Sequence, residues 1–506
     1  MAGVVTSLSR VTIIAYITVF ALVDLILLLS RKKDTLNNIF NTMQSVLIVM
    51  FLANSGIVLY LNTGEGRIII LVLAQLLLLG FSNFIYSLLF KSTSRALQNN
   101  MYMLLSISLI VLARLDFDKA IRQFIFAVAA FIFCIIIIEI LLKAEWIKRI
   151  PWVYCALGIL MLLSVLTMAS YEYGAKLSIE IFTISLQPAE FVKLSIIFFL
   201  ATVIIRYQDL KGFLFAAVGT AIHVLILVAS RDLGAALIYI VIFMLVTFIA
   251  YRNYLFLGLE LLAGVGCSMI AYRLFSHVQT RVLAWQDPLS VVDNEGYQIA
   301  QSLFAIGTGG WLGSGLCQGM PTKIPVVTKD FIFSAISEEL GGITALALIV
   351  MFMCTFVFIF QSAINARDDF YMLINSGIAS AFAMQTILNI GGVTKFIPST
   401  GVTLPFISYG GSSLVSMFIA ISIVLASDDL SIQRERPEGR RRSGHRRRDR
   451  YEEYDDYEDD YRDDPYDDGH YEDYEDDYYD DYDDEDDYIP PKDVLKRGYR
   501  VDVEDL

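Results

Sequence analysis

The residue best placed to do chemistry is Asp330, which closes the polar stretch 275–333 and leads into a long apolar run. A carboxylate at a membrane–water boundary can accept a proton from a hydroxyl. Asp is also a favoured helix N-cap, and the residue type alone leaves both readings open. Further charges gather at the same predicted boundary. Glu338 and Glu339 lie about two turns deeper in the apolar run that follows Asp330. Glu190 and Lys193 share a helix face behind Pro188, where a buried ion pair is the structural alternative. Arg231-Asp232 opens another apolar run, and the polar stretch itself carries Arg281, Gln298 and Gln301. Ionisable groups inside a membrane are costly and normally face a polar cavity or a partner.

Two irregular segments accompany these charges. The run Ile306-Gly307-Thr308-Gly309-Gly310-Trp311-Leu312-Gly313-Ser314-Gly315 has glycines that permit turns or let backbone N–H groups approach a diphosphate. The run Leu404-Pro405-Phe406-Ile407-Ser408-Tyr409-Gly410-Gly411-Ser412-Ser413 lies between two apolar segments. Lipid offers no hydrogen bonds to bare backbone, so such chain must be buried in protein or line a watery cavity. Ser408, Tyr409 and Ser412 are its candidate ligand-contacting side chains, and Lys395 lies in the same connection.

The elements that must hold these residues are apolar spans. The chain has 506 residues, is 56% hydrophobic and has a mean hydropathy of +0.57, which describes an all-α polytopic membrane protein. Spans are expected near 11–30, 43–62, 68–90, 100–113, 122–143, 151–169, 187–205, 212–229, 234–250, 253–274, 334–361, 370–391 and 410–426. The first is too long and wrongly flanked for a cleaved signal peptide. Basic residues recur in every second connection: Arg31-Lys32-Lys33, Lys91 with Arg95, Lys143 with Lys148-Arg149, Arg206 with Lys211, Arg252, and Arg367. The positive-inside rule then places the N-terminus outside, the C-terminal tail in the cytoplasm, and the stretches 275–333 and 392–409 on the outer face.

The acidity is confined to the tail. Of 39 basic and 53 acidic residues, 14 and 30 fall in 434–506, leaving 25 and 23 for the body. Arg434 to Arg450 forms a basic patch suited to anionic lipid, and Tyr451 to Tyr488 is an Asp/Glu/Tyr run expected to be disordered. That run is either a solvating tail that folds back on the Arg patch or a docking segment for a cytoplasmic partner. Five scattered cysteines, with no CxxC pair, support neither a disulfide framework nor a zinc site. His223, within a span, reads as a packed polar residue. Glu139 and Glu260 are isolated carboxylates in spans, while Gln385 and Asn389 share a face.

Four blocks in order resemble the FtsW/RodA/SpoVE (SEDS) family: Gln187-Pro188-Ala189-Glu190-Phe191-Val192-Lys193; Asp232-Leu233-Gly234; Tyr297 to Gly315 leading to Asp330-Phe331-Ile332-Phe333 and Glu338-Glu339-Leu340-Gly341; and Thr400-Gly401-Val402-Thr403-Leu404-Pro405 through Ser413. The resemblance covers roughly 99–427 and ten of the thirteen spans. Residues 1–98 would then be about three additional N-terminal spans, and 428–506 the cytoplasmic tail. It implies a peptidoglycan glycosyltransferase of the bacterial plasma membrane. Such an enzyme polymerises lipid II into glycan strands at the outer face, for division, elongation or sporulation. A class B penicillin-binding transpeptidase is the implied partner, with cytoplasmic wall-synthesis or division proteins as the partners the tail would dock; neither an organic cofactor nor nucleic acid is expected. Asp330 falls on the family's key Asp, with Arg281, Lys193 and Arg231 as candidates to neutralise the diphosphate, alone or with a divalent cation (Mg or Mn). The chain departs from the family in reading Pro325-Val326-Val327-Thr328-Lys329 where Pro-Glu-x-His-Thr is common before the Asp. It also has Arg231 for a usual Pro and Ala235 for a usual Thr. These departures bear on metal binding and substrate positioning.

Two rival readings use the same residues. Glu190, Lys193, Glu338 and Glu339 would suit the polar path of a lipid II flippase or transporter, although no inverted repeat is visible. The altered residues before Asp330 would instead suit a catalytically degenerate scaffold for wall synthesis.

Overall fold

Helices dominate because each apolar run must satisfy its own backbone once it leaves water. The computed structural model describes residues 2–433, apart from 31–33, 90–93, 144, 170, 173–174, 182–183, 208 and 295. Among the described residues, thirteen helices are long and apolar enough to cross a membrane. The chain opens with α1 (Ala2–Leu29), α2 (Asp34–Thr63), α3 (Arg67–Leu89), α4 (Arg95–Leu115), α5 (Phe117–Lys143) and α6 (Pro151–Met168). Two antiparallel hairpins follow, β1 (Tyr171–Glu172) with β2 (Ala175–Lys176) and β3 (Ile179–Ile181) with β4 (Ile184–Leu186). In register, Tyr171 faces Lys176 and Ile179 faces Leu186. Then come α7 (Pro188–Arg206), α8 (Leu210–Ala229), α9 (Leu233–Tyr251) and α10 (Tyr254–Leu274). Two shorter helices, α11 (Ser276–Gln286) and α12 (Tyr297–Gly309), precede α13 (Ile332–Asn365), α14 (Asp369–Val393) and α15 (Gly411–Gln433). The tail from Arg434 lies outside the described residues, as do Arg31-Lys32-Lys33 and Lys91 of the orientation argument.

Local chemistry sets several helix starts. Asp209, Asp232, Asn253 and Asp368 each accept a backbone N–H at the head of α8, α9, α10 and α14, and prolines begin α6 and α7. Hydropathy alone misplaced several boundaries, among them the start of α1, at Ala2 and not 11, and of α5, at Phe117 and not 122. Helix α2 begins nine residues before its expected start at 43, because the polar turn holding Asn37, Asn38 and Asn41 is helical too. Helix α4 extends the expected 100–113 at both ends and is buried along nearly its whole length, so Gln98, Asn99 and Asn100 face protein and not lipid. The hairpins are a small departure from an all-α reading. The polar stretch 275–333 holds α11 and α12, so it is largely a folded cap.

Packing places α4, α7 and α14 inside, with α5 against α15 and α13 against α14. Helix α1 packs on α13, and α2 packs on α4. Large apolar side chains left exposed, such as Leu77 and Leu262, sit on spans, where lipid is the solvent.

Helix α13 contains the most consequential irregularity. At Gly341 (φ 82°, ψ 172°) its ladder breaks. The Glu338 and Glu339 carbonyls therefore accept from Ser314 and Gly315 N–H (2.8 Å each). In return, Gly342 and Ile343 N–H donate to the Gly310 and Trp311 carbonyls at 2.8 and 3.2 Å. Those four groups are the ones that two intact helical rungs would pair with each other. The glycine-rich run thus exchanges two rungs with the broken helix, which commits its Ser314 and Gly315 N–H groups to protein.

A side chain at Gly313 would put Cβ 2.2 Å from the Glu339 carbonyl oxygen, at φ +74°. Gly313→Ala should therefore destabilise the protein by roughly 3 kcal/mol, the sum of left-handed strain and overpacking. Gly307→Ala, facing open space in α12, should be neutral or slightly stabilising. Thermal unfolding of the two purified variants checks this, and equal melting would refute the rung exchange.

Candidate active site

A cavity of about 840 Å³ opens at one end of the bundle, beneath the two hairpins and the 275–333 cap. Its charged lining comprises Asp330, Asp232, Glu190, Arg281, Arg231, Lys329 and Arg122. Gln298, Tyr409, Ser412 and the backbone of Thr400 to Thr403 complete the polar wall.

The structure removes the capping reading of Asp330. The residue heading α13 is Phe331, and no side chain caps that helix. The Asp330 carboxylate faces the cavity instead. Its peptide is held from outside the helix, since Asn389 Nδ2 donates to the Asp330 carbonyl (2.9 Å) and to the Val402 carbonyl (2.7 Å). Ser408 Oγ donates to the Lys329 carbonyl, and Tyr409 N–H to the Thr328 carbonyl at 2.8 Å. Gln123, one turn along α5 from Lys119, completes the clamp. Its amide donates to the Ser408 carbonyl (3.1 Å) and accepts from Gly410 N–H (3.2 Å). Ser108 Oγ holds the Ile407 carbonyl at 2.7 Å.

Gly401 lies beside both the acid and a cation. With φ +73° it turns sharply, and the position its Cβ would take is 3.6 Å from both Asp330 Oδ2 and an Arg281 guanidinium nitrogen. Arg281 also donates to the Ser399 carbonyl at 3.3 Å, fixing its reach. Burial raises the Asp330 carboxyl above its ordinary value, against the opposing charges of Lys329 and Arg281. Burial also pushes Asp232 up to about 6, despite its Ala235 N–H bond, with Glu190 adding like-charge repulsion. Arg281 is lowered by its own burial, opposed by Asp330 and Asp232. Left-handed backbone at Val326 (φ 56°) and Arg231 (φ 63°) lies directly on the cavity wall. A β-branched residue there is strained, and such strain persists only where its surroundings enforce it.

Several expected contact residues stand elsewhere. Glu338 and Glu339 do not reach the cavity: Glu338 accepts from Met320 N–H (2.7 Å), while Glu339 pairs with Arg114 Nε (3.2 Å) and accepts from Gly319 N–H. They fasten the turn at Gly319–Met320, which follows the glycine-rich run. Ser408 is buried and its hydroxyl is spent on the Lys329 carbonyl and Leu404 N–H. Gln301 also lies off the lining, on α12, which docks through Ser302 to Ser334 and the Val393 carbonyl. Lys193 is 3% exposed and sits behind the wall. It bonds Glu190 and Gln385 at 2.7 Å each, and Gln385 reaches on to Thr403 and Ser413. The charges that suggested a translocation path fall in two separate clusters, of which only Glu190 reaches the cavity lining. Lys395 holds the Trp285 indole through its carbonyl. Glu260 accepts from Thr247 Oγ1 at 2.8 Å, and His223 Nδ1 lies 2.7 Å from the Gly219 carbonyl as a packed polar group.

Arg122 and Lys329 were missed as cavity residues. Lys329 had been noted only as a replacement beside Asp330. Arg122 begins an apolar stretch of α5, and only the fold shows which face it presents. No group of three His, Cys, Asp or Glu that could hold a metal ion occurs among the described residues. Asp330, Asp232 and Glu190 are the carboxylates on the wall.

Comparisons with known proteins show what the chain is similar to. The FtsW/RodA/SpoVE profile, described as a cell cycle protein family, matches residues 87–431. The peptidoglycan glycosyltransferase RodA of Mycobacterium tuberculosis is 36% identical over 274 residues, covering 50% of this chain and 58% of that protein. Stage V sporulation protein E of Bacillus subtilis is 34% identical over 324 residues, covering 61% and 87%. Among solved structures, a chain from a peptidoglycan synthase complex coordinating polymerization and crosslinking aligns with a TM-score of 0.58 at 23% identity, over 67% of this chain and 99% of that one. The rod-shape-determining protein RodA of Thermus thermophilus aligns with a TM-score of 0.51 at 20% identity, over 66% and 96%.

Replacing one member of the Lys193–Glu190 pair leaves a buried charge behind, which costs roughly 3–5 kcal/mol. Lys193→Met should therefore lower thermal stability sharply, and adding Glu190→Gln should recover most of the loss. Melting curves of the single and double variants test the coupling; additive losses would show that the pair does not act as a unit.

Proposed function

Because the chain belongs to the FtsW/RodA/SpoVE family, we propose that it is a peptidoglycan glycosyltransferase that polymerises lipid II, with Asp330 as its general base. The observation that carries this reading is a carboxylate and a guanidinium converging on Gly401 inside a polar cavity. In the proposed step the acceptor sugar's 4-hydroxyl attacks the donor's anomeric carbon. A C–O bond forms to the acceptor, the C–O bond to undecaprenyl diphosphate breaks, and the hydroxyl proton passes to Asp330. The diphosphate is a good leaving group, so it needs charge stabilisation more than a proton. Arg281, Arg231, Lys329 and Arg122 supply fixed positive charge on the same wall. The strained turn at Val326 stands where the family commonly has Glu, so cationic side chains carry that work here. No step is routed through a metal ion.

The orientation proposed is the one given by the basic connections, with the cavity on the outer face where lipid-linked sugar is consumed. The likeness to a chain of a synthase complex supports a transpeptidase partner, proposed here as a class B penicillin-binding protein. The mycobacterial relative extends well beyond the matched region, and none of its further properties is carried over.

Purified protein given labelled lipid II should form glycan strands. Asp330→Ala and Asp330→Asn should reduce the rate by about 10²–10⁴-fold while leaving the fold intact, as loss of a general base does. Wild-type rates in Asp330→Ala would remove the base assignment, and transport of lipid II without polymerisation would favour a flippase.

The pH profile provides a second check. Asp330 must be ionised to accept a proton, and burial raises its pKa above 3.8. Activity should accordingly fall on acidification through that raised value, above the ordinary carboxylate range. Arg281 holds the value down, so in Arg281→Gln the acidic limb of kcat/KM should move to higher pH. An unmoved limb would separate Arg281 from the base.

A further inference from the structure

Helix α5 begins with a lysine that the proposed chemistry does not use. Asp116 is the single residue between α4 and α5, and its Oδ1 accepts Lys119 N–H at 3.1 Å as the new helix starts. The other carboxylate oxygen lies 3.1 Å from Lys119 Nζ. Two more groups meet the same ammonium from segments distant in sequence. It donates to Thr328 Oγ1 at 3.3 Å, and it stands 5.9 Å over the centre of the Tyr409 ring. An ammonium carries three N–H donors, and here an anion, a hydroxyl and a π face receive it.

These contacts fall at one junction. Thr328 is buried two residues before Asp330, and its carbonyl accepts Tyr409 N–H at 2.8 Å. Tyr409 lines the cavity, and its neighbour Ser408 bonds the Lys329 carbonyl. Lys119 therefore touches both of the irregular segments that meet beside the carboxylate. Gln123, four residues on and on the same face of α5, bonds the backbone of the second segment. Lys119 supplies the link from α5 to the segment that ends in Asp330. Its exposure argues against a role in stability. The Lys119 and Asp116 side chains are 38% and 36% exposed, and ion pairs at such sites contribute little. Thr328 lies in the stretch where this chain departs from the family pattern, so the family motif does not account for the contact.

We propose that Lys119 is a positioning residue for sugar transfer: it fixes the backbone before Asp330 against Tyr409 and so sets where the carboxylate points. This rests on the reading of Asp330 as the base. Lys119 stands behind the cavity lining and acts through Thr328 and Tyr409. Proton transfer depends on the approach of base to hydroxyl, and a displacement of about 1 Å at a reacting group costs up to roughly 100-fold in rate.

The test compares the full-length protein with Lys119→Met, Lys119→Arg and Thr328→Val. Three quantities are read: glycan synthesis from labelled lipid II, thermal unfolding, and hydrogen exchange by mass spectrometry. Lys119→Met should lower kcat roughly tenfold, with KM within about twofold and Tm unchanged. Lys119→Arg keeps the charge, the donor and the ring contact, and should recover most of the rate. Thr328→Val spares the Asp116 pair; it should match Lys119→Met and covers the case in which that variant fails to fold. Peptides spanning 326–332 should exchange faster in Lys119→Met and Thr328→Val, and not in Lys119→Arg. Added to Asp330→Asn, Lys119→Met should cost nothing further, because no base is left to position. Unchanged kcat, a rise in KM with kcat intact, or multiplied losses in the double variant would each overturn the role. Asp330→Asn at the wild-type rate would instead overturn the base assignment. The exchange data stand apart from both: unaltered exchange in Lys119→Met would overturn the link itself.

Discussion

Backbone that leaves the helical ladder at the edge of a membrane must find every hydrogen bond within the protein. That demand organises this molecule. The connection between α14 and α15 has no ladder of its own, and side chains from the spans answer it: Asn389, Gln385, Gln123 and Ser108 all bond its carbonyls or amides. Asn389 answers the Asp330 peptide with the same amide. The polar residues buried in the spans are therefore mostly scaffolding, and their collective result is one carboxylate held free of other duties.

The break in α13 obeys the same demand by a different route. Two carbonyls and two N–H groups released at Gly341 are taken up by the glycine-rich run, and the carboxylates of Glu338 and Glu339 then tie down the turn that follows. The short first part of α13, which begins just after Asp330, is thereby anchored at both ends. Charge in the cavity wall rests on this rigidity, because a buried carboxylate and a nearby guanidinium influence each other only while their spacing is kept.

Much of this was legible in the sequence. Apolar length gave all thirteen spans, and the order of motif blocks gave the family, Asp330 and most of the cavity wall. What failed did so for identifiable reasons. A hydropathy window cannot tell whether a polar helical turn faces lipid or protein, which hid the start of α2 and the burial of α4. Motif membership does not separate residues that touch the cavity from those that hold its walls, which is why Lys193, Gln301, Glu338, Glu339 and Ser408 were grouped with the former. Arg122 carries no local signal, since its meaning depends on which way α5 is rotated. The hairpins after α6 left no clear alternation in so few residues.

Helix α4 has a longer-term consequence. Asn99 on it is held by Gln44 and by the Asn41 carbonyl of α2, a helix the family profile does not include. Stripped of that jacket, the Asn99 amide would lose both partners. An appended bundle of this kind works as a ratchet: once polar groups have accumulated beneath it, shedding it strands them in oil, so an accessory that arrived as an option becomes an obligation.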